Sequence, residues 1–158
     1  MARALAMIAL RPGSTADLAA ITAIMQAAFD PRYGEAWTAS QCAGVMAMPG
    51  VWLTVAEIDG APGGFALTRV IVDEAELLLL AVRPECRRRG LGRALLRSAV
   101  AESRARGATR IHLEVRAGND AVALYRSAGF EKVGQRKDYY RGINDKLFDA
   151  ITLRKLIH

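Results

Sequence analysis

The sequence predicts an α+β fold, a central mixed and mostly antiparallel sheet flanked by helices. Three observations carry this expectation. Helical and strand periodicities alternate along the chain in the order β-α-α-β-β-β-α-β-α-β-β. An apolar strand at Leu77–Val82 runs through an arginine-rich turn and two glycines into an amphipathic helix. The composition, 52% hydrophobic and 6% aromatic over 158 residues, suits one globular domain with a sizeable core.

The elements follow in order. Ala4 to Leu10 is mildly apolar but has no small-residue cleavage site, so it predicts a first strand rather than a signal segment. Ser14 and Asp17 stand at capping-box spacing before Leu18, Ile21, Met25 and Phe29, a helical repeat that Asp30-Pro31 ends. Thr38 and Gln41 mark a second, short helix closed by Pro49-Gly50. Val51–Ile58 reads as a strand with Asp59-Gly60 turning into a second strand, Gly64–Val72. Glu76–Arg83 is nearly all apolar and is expected to be central and buried on both faces. A helix from about Gly90 to Arg106 turns Leu91, Leu95 and Ala99 inward and ends at Gly107. Arg110–Arg116 alternates Ile111, Leu113 and Val115 with His112, Glu114 and Arg116, a strand with two unlike faces. Asn119 or Asp120 caps a helix ending near Gly129, and Lys132–Tyr139 and Phe148–Leu156 are the closing strands.

No apolar run approaches the ~20 residues of a membrane span, so no membrane partner is expected. Cys42 and Cys86 form no metal or redox spacing; they read as free thiols of a reducing cytoplasm, and no metal is expected. The net charge of +6 is compatible with nucleic acid, but no aromatic-interleaved basic patch is present. Arginines concentrate instead at Arg83, Arg87, Arg88, Arg89, Arg93 and Arg97, beside the strand-to-helix turn. The N–H groups of that helix start, with the helix dipole behind them, form an anion site, and Gly90 and Gly92 permit positive φ and close backbone approach. The turn is built to hold a phosphate or pyrophosphate.

Three glycine patterns compete for it. A dinucleotide fingerprint fails because Leu95 stands at the third glycine position, and a P-loop fails for want of a Gly-Lys pair. The third, R/Q-x-x-G-x-G/A, is matched in full by Arg87-Arg88-Arg89-Gly90-Leu91-Gly92. This segment resembles the signature of the GNAT N-acetyltransferases, which hold the pyrophosphate of acetyl-CoA there. Downstream, Leu113-Glu114-Val115-Arg116, Leu124-Tyr125, Gly129-Phe130, Arg136 to Tyr140 and Asp149-Ala150 are most similar to the RimI-type branch, which acetylates the N-terminal α-amine of a ribosomal protein. Arg141 follows the tyrosine pair where that branch often has proline. Asn119 precedes Tyr125 by one residue fewer than in the family, so either the helix entry is tightened or Asn119 is not the equivalent side chain.

The resemblance implies the GNAT fold, acetyl-CoA as co-substrate, and a set of roles. The backbone of Leu80, Ala81 and Val82 would bind the pantetheine arm like a neighbouring strand. Arg87, Arg88, Arg89, Gly90, Leu91, Gly92 and Arg93 would hold the pyrophosphate, with Asn119 on the same side. Glu114 would be the general base, directly or through a water, and His112 could relay to it; an ordinary strand carboxylate would instead pair with Arg116 or His112. Tyr125 would protonate the leaving sulfur, since its pKa of about 10 exceeds a thiol's of about 8.5. Glu35, Trp37, Tyr139 and Tyr140 would shape the acceptor site.

A protein α-amine titrates roughly 2.5 units below lysine, which makes its deprotonation about 3.5 kcal/mol easier. A single carboxylate base therefore suits a protein N-terminus, with a ribosomal protein as the favoured partner. Polyamines, amino acids and aminoglycosides are alternative acceptors. Outside the enzymes, the alternatives are a non-catalytic acyl-CoA-binding module and a basic RNA-binding protein. Both a monomer and a homodimer are compatible with the sequence.

Overall fold

The computed structural model describes residues 7–157. Its first strand, β1 (Ile8–Pro12), begins later than expected, and residues 4–6 of the predicted strand lie outside the described residues. The expected order of elements is observed. Ser14 and Asp17 form their capping box, on a 3₁₀ turn that leads into α1 (Leu18–Ala28). Thr38 and Gln41 do the same for α2 (Ala39–Met46). Both boxes satisfy N–H groups that the first helical turn leaves without partners.

The strands β2 (Val51–Ile58), β3 (Ala61–Ile71), β4 (Glu74–Val82), β5 (Arg110–Arg116), β6 (Glu131–Arg141) and β7 (Leu147–Leu156) join β1 in one seven-stranded sheet ordered β1-β2-β3-β4-β5-β7-β6. Among the described residues only β4 and β5 pair in parallel, as they must with α3 (Leu91–Ala105) crossing between them. The short helix α4 (Ala121–Ser127) links β5 to β6.

Each face of the sheet carries its own core. On one, Leu91, Leu95, Leu96 and Ala99 of α3 pack with Ala66, Leu77, Ile111 and Leu153. On the other, Ile21, Ile24 and Met25 of α1 and Cys42 of α2 pack with Leu53, Phe65, Leu67 and Leu79. The apolar strand β4 contributes to both. Its pairing with β3 shifts between Leu67↔Leu79 and Thr68↔Leu77, which leaves Leu78 as a bulge. Ala75 and Leu77 therefore face α3, whereas Leu79 and Ala81 face α1 and α2. The expected two-faced packing is observed with one difference, that on the second face the cover is thinner: Leu80 and Val82 pack against the α3 core but, like Leu78, are only half-buried. An unbroken leucine run does not disclose where its register slips. Cys42 and Cys86 are free and buried. Among the described residues no helix is long and apolar enough to cross a membrane.

Candidate active site

The bulge at Leu78 also turns β4 away from β5. The two strands pair only from Glu74↔Arg110 to Glu76↔His112. Past that point β4 stays with β3 as far as Val82↔Gly64, and β5 stays with β7 as far as Arg116↔Ala150. Among the described residues the facing backbone edges of Leu77–Val82 and Leu113–Arg116 are thus left without a strand partner. Unpaired N–H and C=O groups on such an edge take an extended, amide-bearing chain as a substitute strand.

At the end of β4 the chain enters the arginine turn. The N–H of Arg83 donates to the carbonyl of Gly63 at 2.8 Å, and Pro84–Cys86 makes one 3₁₀ turn. Arg88 and Gly90 then take positive φ, 63° and 87°. Open space surrounds Gly90, so glycine there answers the backbone conformation alone. Gly92 answers a close approach: a Cβ would stand 3.3 Å from Leu124 Cδ2 of α4. Leu91 is buried and pins the turn to the core. Among the described residues no backbone carbonyl accepts from the N–H groups of Arg88 to Arg93. Arg87, Arg88, Arg89 and Arg93 are exposed, and Arg87 also donates from Nη2 to the Ala28 carbonyl at 2.9 Å, which ties the turn to the end of α1.

Across the opening stand the groups that could handle a proton. Glu114 projects from β5 with its side chain 16% exposed, and its Oε1 lies 2.9 Å from Nε of Arg136 on β6. Arg116 and His112, the partners its own strand offered, are engaged elsewhere; His112 Nε2 lies 3.7 Å from Glu76 Oε2. Tyr125, on α4, is buried edge-on to Phe130. Burial, and then the charge of Glu35, push its hydroxyl well above the usual tyrosine range. Tyr140 is raised likewise by burial, then by Glu35, Tyr139, Glu114 and Tyr125, so these groups share one electrostatic neighbourhood. Tyr139 is half exposed, and burial followed by the Glu114 carboxylate raises it.

Glu35 reaches this neighbourhood from the loop between α1 and α2. Arg116 Nε donates to its Oε1 at 3.1 Å and Asn119 Nδ2 to its Oε2 at 2.7 Å. The Arg116 and Glu35 side chains are 12% and 8% exposed, and the Arg116 guanidinium lies 3.6 Å from the centre of the Tyr33 ring. A Cβ on Gly34 would collide with the Arg141 carbonyl, so the loop runs backbone to backbone against the β6–β7 turn. Asn119 is occupied at both ends: its Oδ1 accepts from the N–H of Ala121 at 2.8 Å, at the start of α4. Trp37 packs against the core formed with α1 and α2, half-buried, and its backbone N–H donates to Met25 Sδ at 3.3 Å.

The structure therefore gathers Glu114, Tyr125, Glu35, Tyr139 and Tyr140 on one side of the opening, and the turn from Arg88 to Arg93 on the other. Sequence reasoning missed Arg116 and Arg136 as partners of the two carboxylates. Their signals were present, as the last residue of Leu113-Glu114-Val115-Arg116 and the first of Arg136-Lys137-Asp138-Tyr139-Tyr140. Replacing Arg116 by Ala strands a nearly buried carboxylate and is expected to destabilise the fold by about 3 kcal/mol, read as a shift of the urea midpoint.

Residues 18–130 match the sequence model of the Acetyltransferase (GNAT) family. A [ribosomal protein bS18]-alanine N-acetyltransferase of Escherichia coli (strain K12) is 47% identical over 96 residues, 60% of this chain and 64% of that protein. The N-alpha-acetyltransferase RimI of Mycobacterium tuberculosis is 43% identical over 97 residues, 61% of this chain and 58% of the relative. In both cases the match spans less than two thirds of the relative's length. The crystal structure of the ribosomal-protein-S18-alanine N-acetyltransferase from Escherichia coli superposes with a TM-score of 0.84 at 36% identity, covering 96% of this chain and 94% of that one. With its family match extending from α1 to the start of β6, the chain belongs to the GNAT acetyltransferase family.

Proposed function

We propose that this protein, acting in the cytoplasm as a single GNAT domain, transfers the acetyl group of acetyl-CoA to the N-terminal α-amine of a protein, with a ribosomal protein as the favoured acceptor. The observation that carries the reading is the opening between β4 and β5, with free amides at one end and Glu114 and Tyr125 beside it. The residues present fit acetyl-CoA. The row from Arg88 to Arg93 offers N–H donors and exposed guanidinium groups to phosphates. The open edge of Leu80–Val82 offers backbone partners to an amide-bearing arm. Acetyl-CoA supplies the acetyl group as a thioester, which a neutral amine can attack.

Glu114 takes the proton from the acceptor amine, directly or through a water. Its ion pair with Arg136 fixes the carboxylate's orientation, and Arg136, 60% exposed, is free to swing towards solvent when an acceptor enters. Tyr125 donates a proton to the departing sulfur; burial keeps that hydroxyl protonated at any physiological pH. Glu35 is locked by Arg116 and Asn119, so it sets the field around Tyr125 and Tyr140 from a fixed position. The acceptor assignment draws support from the relatives, whose names specify a ribosomal-protein alanine.

The test is acetyl-CoA turnover, read as free thiol release, against a panel of acceptors. The panel holds peptides with ribosomal-protein N-termini, the same peptides N-blocked but carrying an internal lysine, and polyamines and aminoglycosides. Selective turnover of free-N-terminus peptides is expected. Turnover confined to small amines overturns the peptide assignment, and no turnover of any acceptor overturns the enzyme reading in favour of an acyl-CoA-binding module.

A further inference from the structure

Tyr139 and Tyr140 are adjacent on β6, yet both stand by Glu114. Their rings meet edge to face at 5.0 Å, and the Arg136 guanidinium lies 5.4 Å from the Tyr139 ring centre. In a regular strand adjacent side chains point to opposite faces, so one of the two tyrosines would leave the site. The register shows how both stay. Arg136 pairs with Ala150 and Tyr140 with Phe148, so Lys137, Asp138 and Tyr139 stand opposite Asp149 alone. Asp138 takes a positive φ of 56°, which turns the bulge.

What holds this bulge is the Asp149 side chain. Its Oδ1 accepts from the N–H of Asp138 at 3.0 Å, and its Oδ2 from Nε2 of Gln135 at 2.8 Å. Its own carbonyl accepts from the N–H of Ala117 at 2.9 Å, just beyond the end of β5. One residue of β7 is thereby bound to the bulge on one side and to the strand carrying Glu114 on the other. The Asp138 N–H, then Gln135, hold the Asp149 carboxyl below the usual aspartate range, as expected of an acceptor satisfied by local donors.

We propose that Asp149 is a positioning residue for the acceptor site: by holding the β6 bulge open it places Tyr139 and Tyr140 together against Glu114, and so sets the wall on which the acceptor lies. The proposal rests on the acetyltransferase reading above. Nothing in Asp149's contacts involves the acetyl-CoA side, so its effect is confined to the acceptor.

The experiment compares Asp149→Ala with Asp149→Asn, using whichever acceptor the wild-type enzyme turns over, so that a failed peptide assignment is not mistaken for failure here. Asn retains an oxygen for the Asp138 N–H, and its amide can meet the Gln135 carbonyl once that side chain flips. Asp149→Ala is expected to raise KM for the acceptor about tenfold or more while KM for acetyl-CoA stays within about twofold. Asp149→Asn is expected to stay within about threefold of wild type in both. Amide exchange at Asp138 provides a second readout that needs no turnover, with protection lost in the Ala variant and kept in the Asn variant. If Asp149→Ala does not fold, Asp138→Val, which disfavours the positive φ without touching Asp149, is expected to show the same split between the two KM values. Wild-type acceptor KM in the Ala variant, equal rises in both KM values, or no rescue by Asn would each overturn the proposal.

Discussion

Replacing Glu114 by Gln is expected to lower kcat about a hundredfold or more while leaving acetyl-CoA affinity within about twofold. The substitution is nearly isosteric and keeps one oxygen for Arg136, so the 2.9 Å contact can persist as a neutral hydrogen bond. What it removes is the site for the acceptor's proton. The turn that would hold the phosphates lies on the other side of the opening and has no contact with Glu114, which is why binding and turnover should separate. Isothermal titration with acetyl-CoA and thiol-release kinetics on the same preparation make the comparison. Unchanged thioester consumption in this variant removes Glu114 as the base. The same variant also discriminates against a non-catalytic module, for which no residue on β5 should matter to any rate.

Replacing Tyr125 by Phe is expected to cost about a hundredfold in kcat with little loss of stability. The ring's packing on Phe130 is retained, and only the hydroxyl is lost. The pH dependence gives a sharper test. As a proton donor, Tyr125 is active in its protonated form, and activity is lost as pH rises through its pKa. Burial and the charge of Glu35 move that pKa upward, so the loss moves to higher pH. No alkaline decline assignable to Tyr125 is therefore expected at the ordinary tyrosine value of about 10. A decline near that value that vanishes in Tyr125→Phe would contradict the buried position. Glu35→Gln removes the charge and should lower the Tyr125 pKa, although burial, the larger cause, remains.

Much of this site is written locally. The capping boxes at Ser14–Asp17 and Thr38–Gln41 lie within four residues each, and both form as read. The strand, turn and helix from Leu77 to Leu96 can be recognised because glycine spacing, arginine density and apolar periodicity fall within one segment. Glu114 stands out because alternation along Arg110–Arg116 assigns it to the polar face. By contrast, Glu35 and Arg116 are 81 residues apart in sequence, and Glu35 and Asn119 are 84 apart. No periodicity links positions so distant. The partner of Glu114 is hidden for the same reason: β6 enters the sheet beyond β7, and it brings Arg136, not a neighbour on β5, to the carboxylate.

Local chemistry thus decides which segments become helices, which become strands, and where the glycine- and arginine-rich turn lies, because caps, periodicity and backbone preferences act over a few residues. Pairing register is another matter. The bulge at Leu78 lies where β4 packs on both cores, and the bulge opposite Asp149 lies on the exposed edge strand β6, where its partner strand β7 holds it. A one-residue slip in register exchanges the faces of a strand, and its outcome depends on all the neighbours packed upon it. The opening, the carboxylates' partners and the pairing of the two tyrosines therefore exist only once the whole sheet has closed.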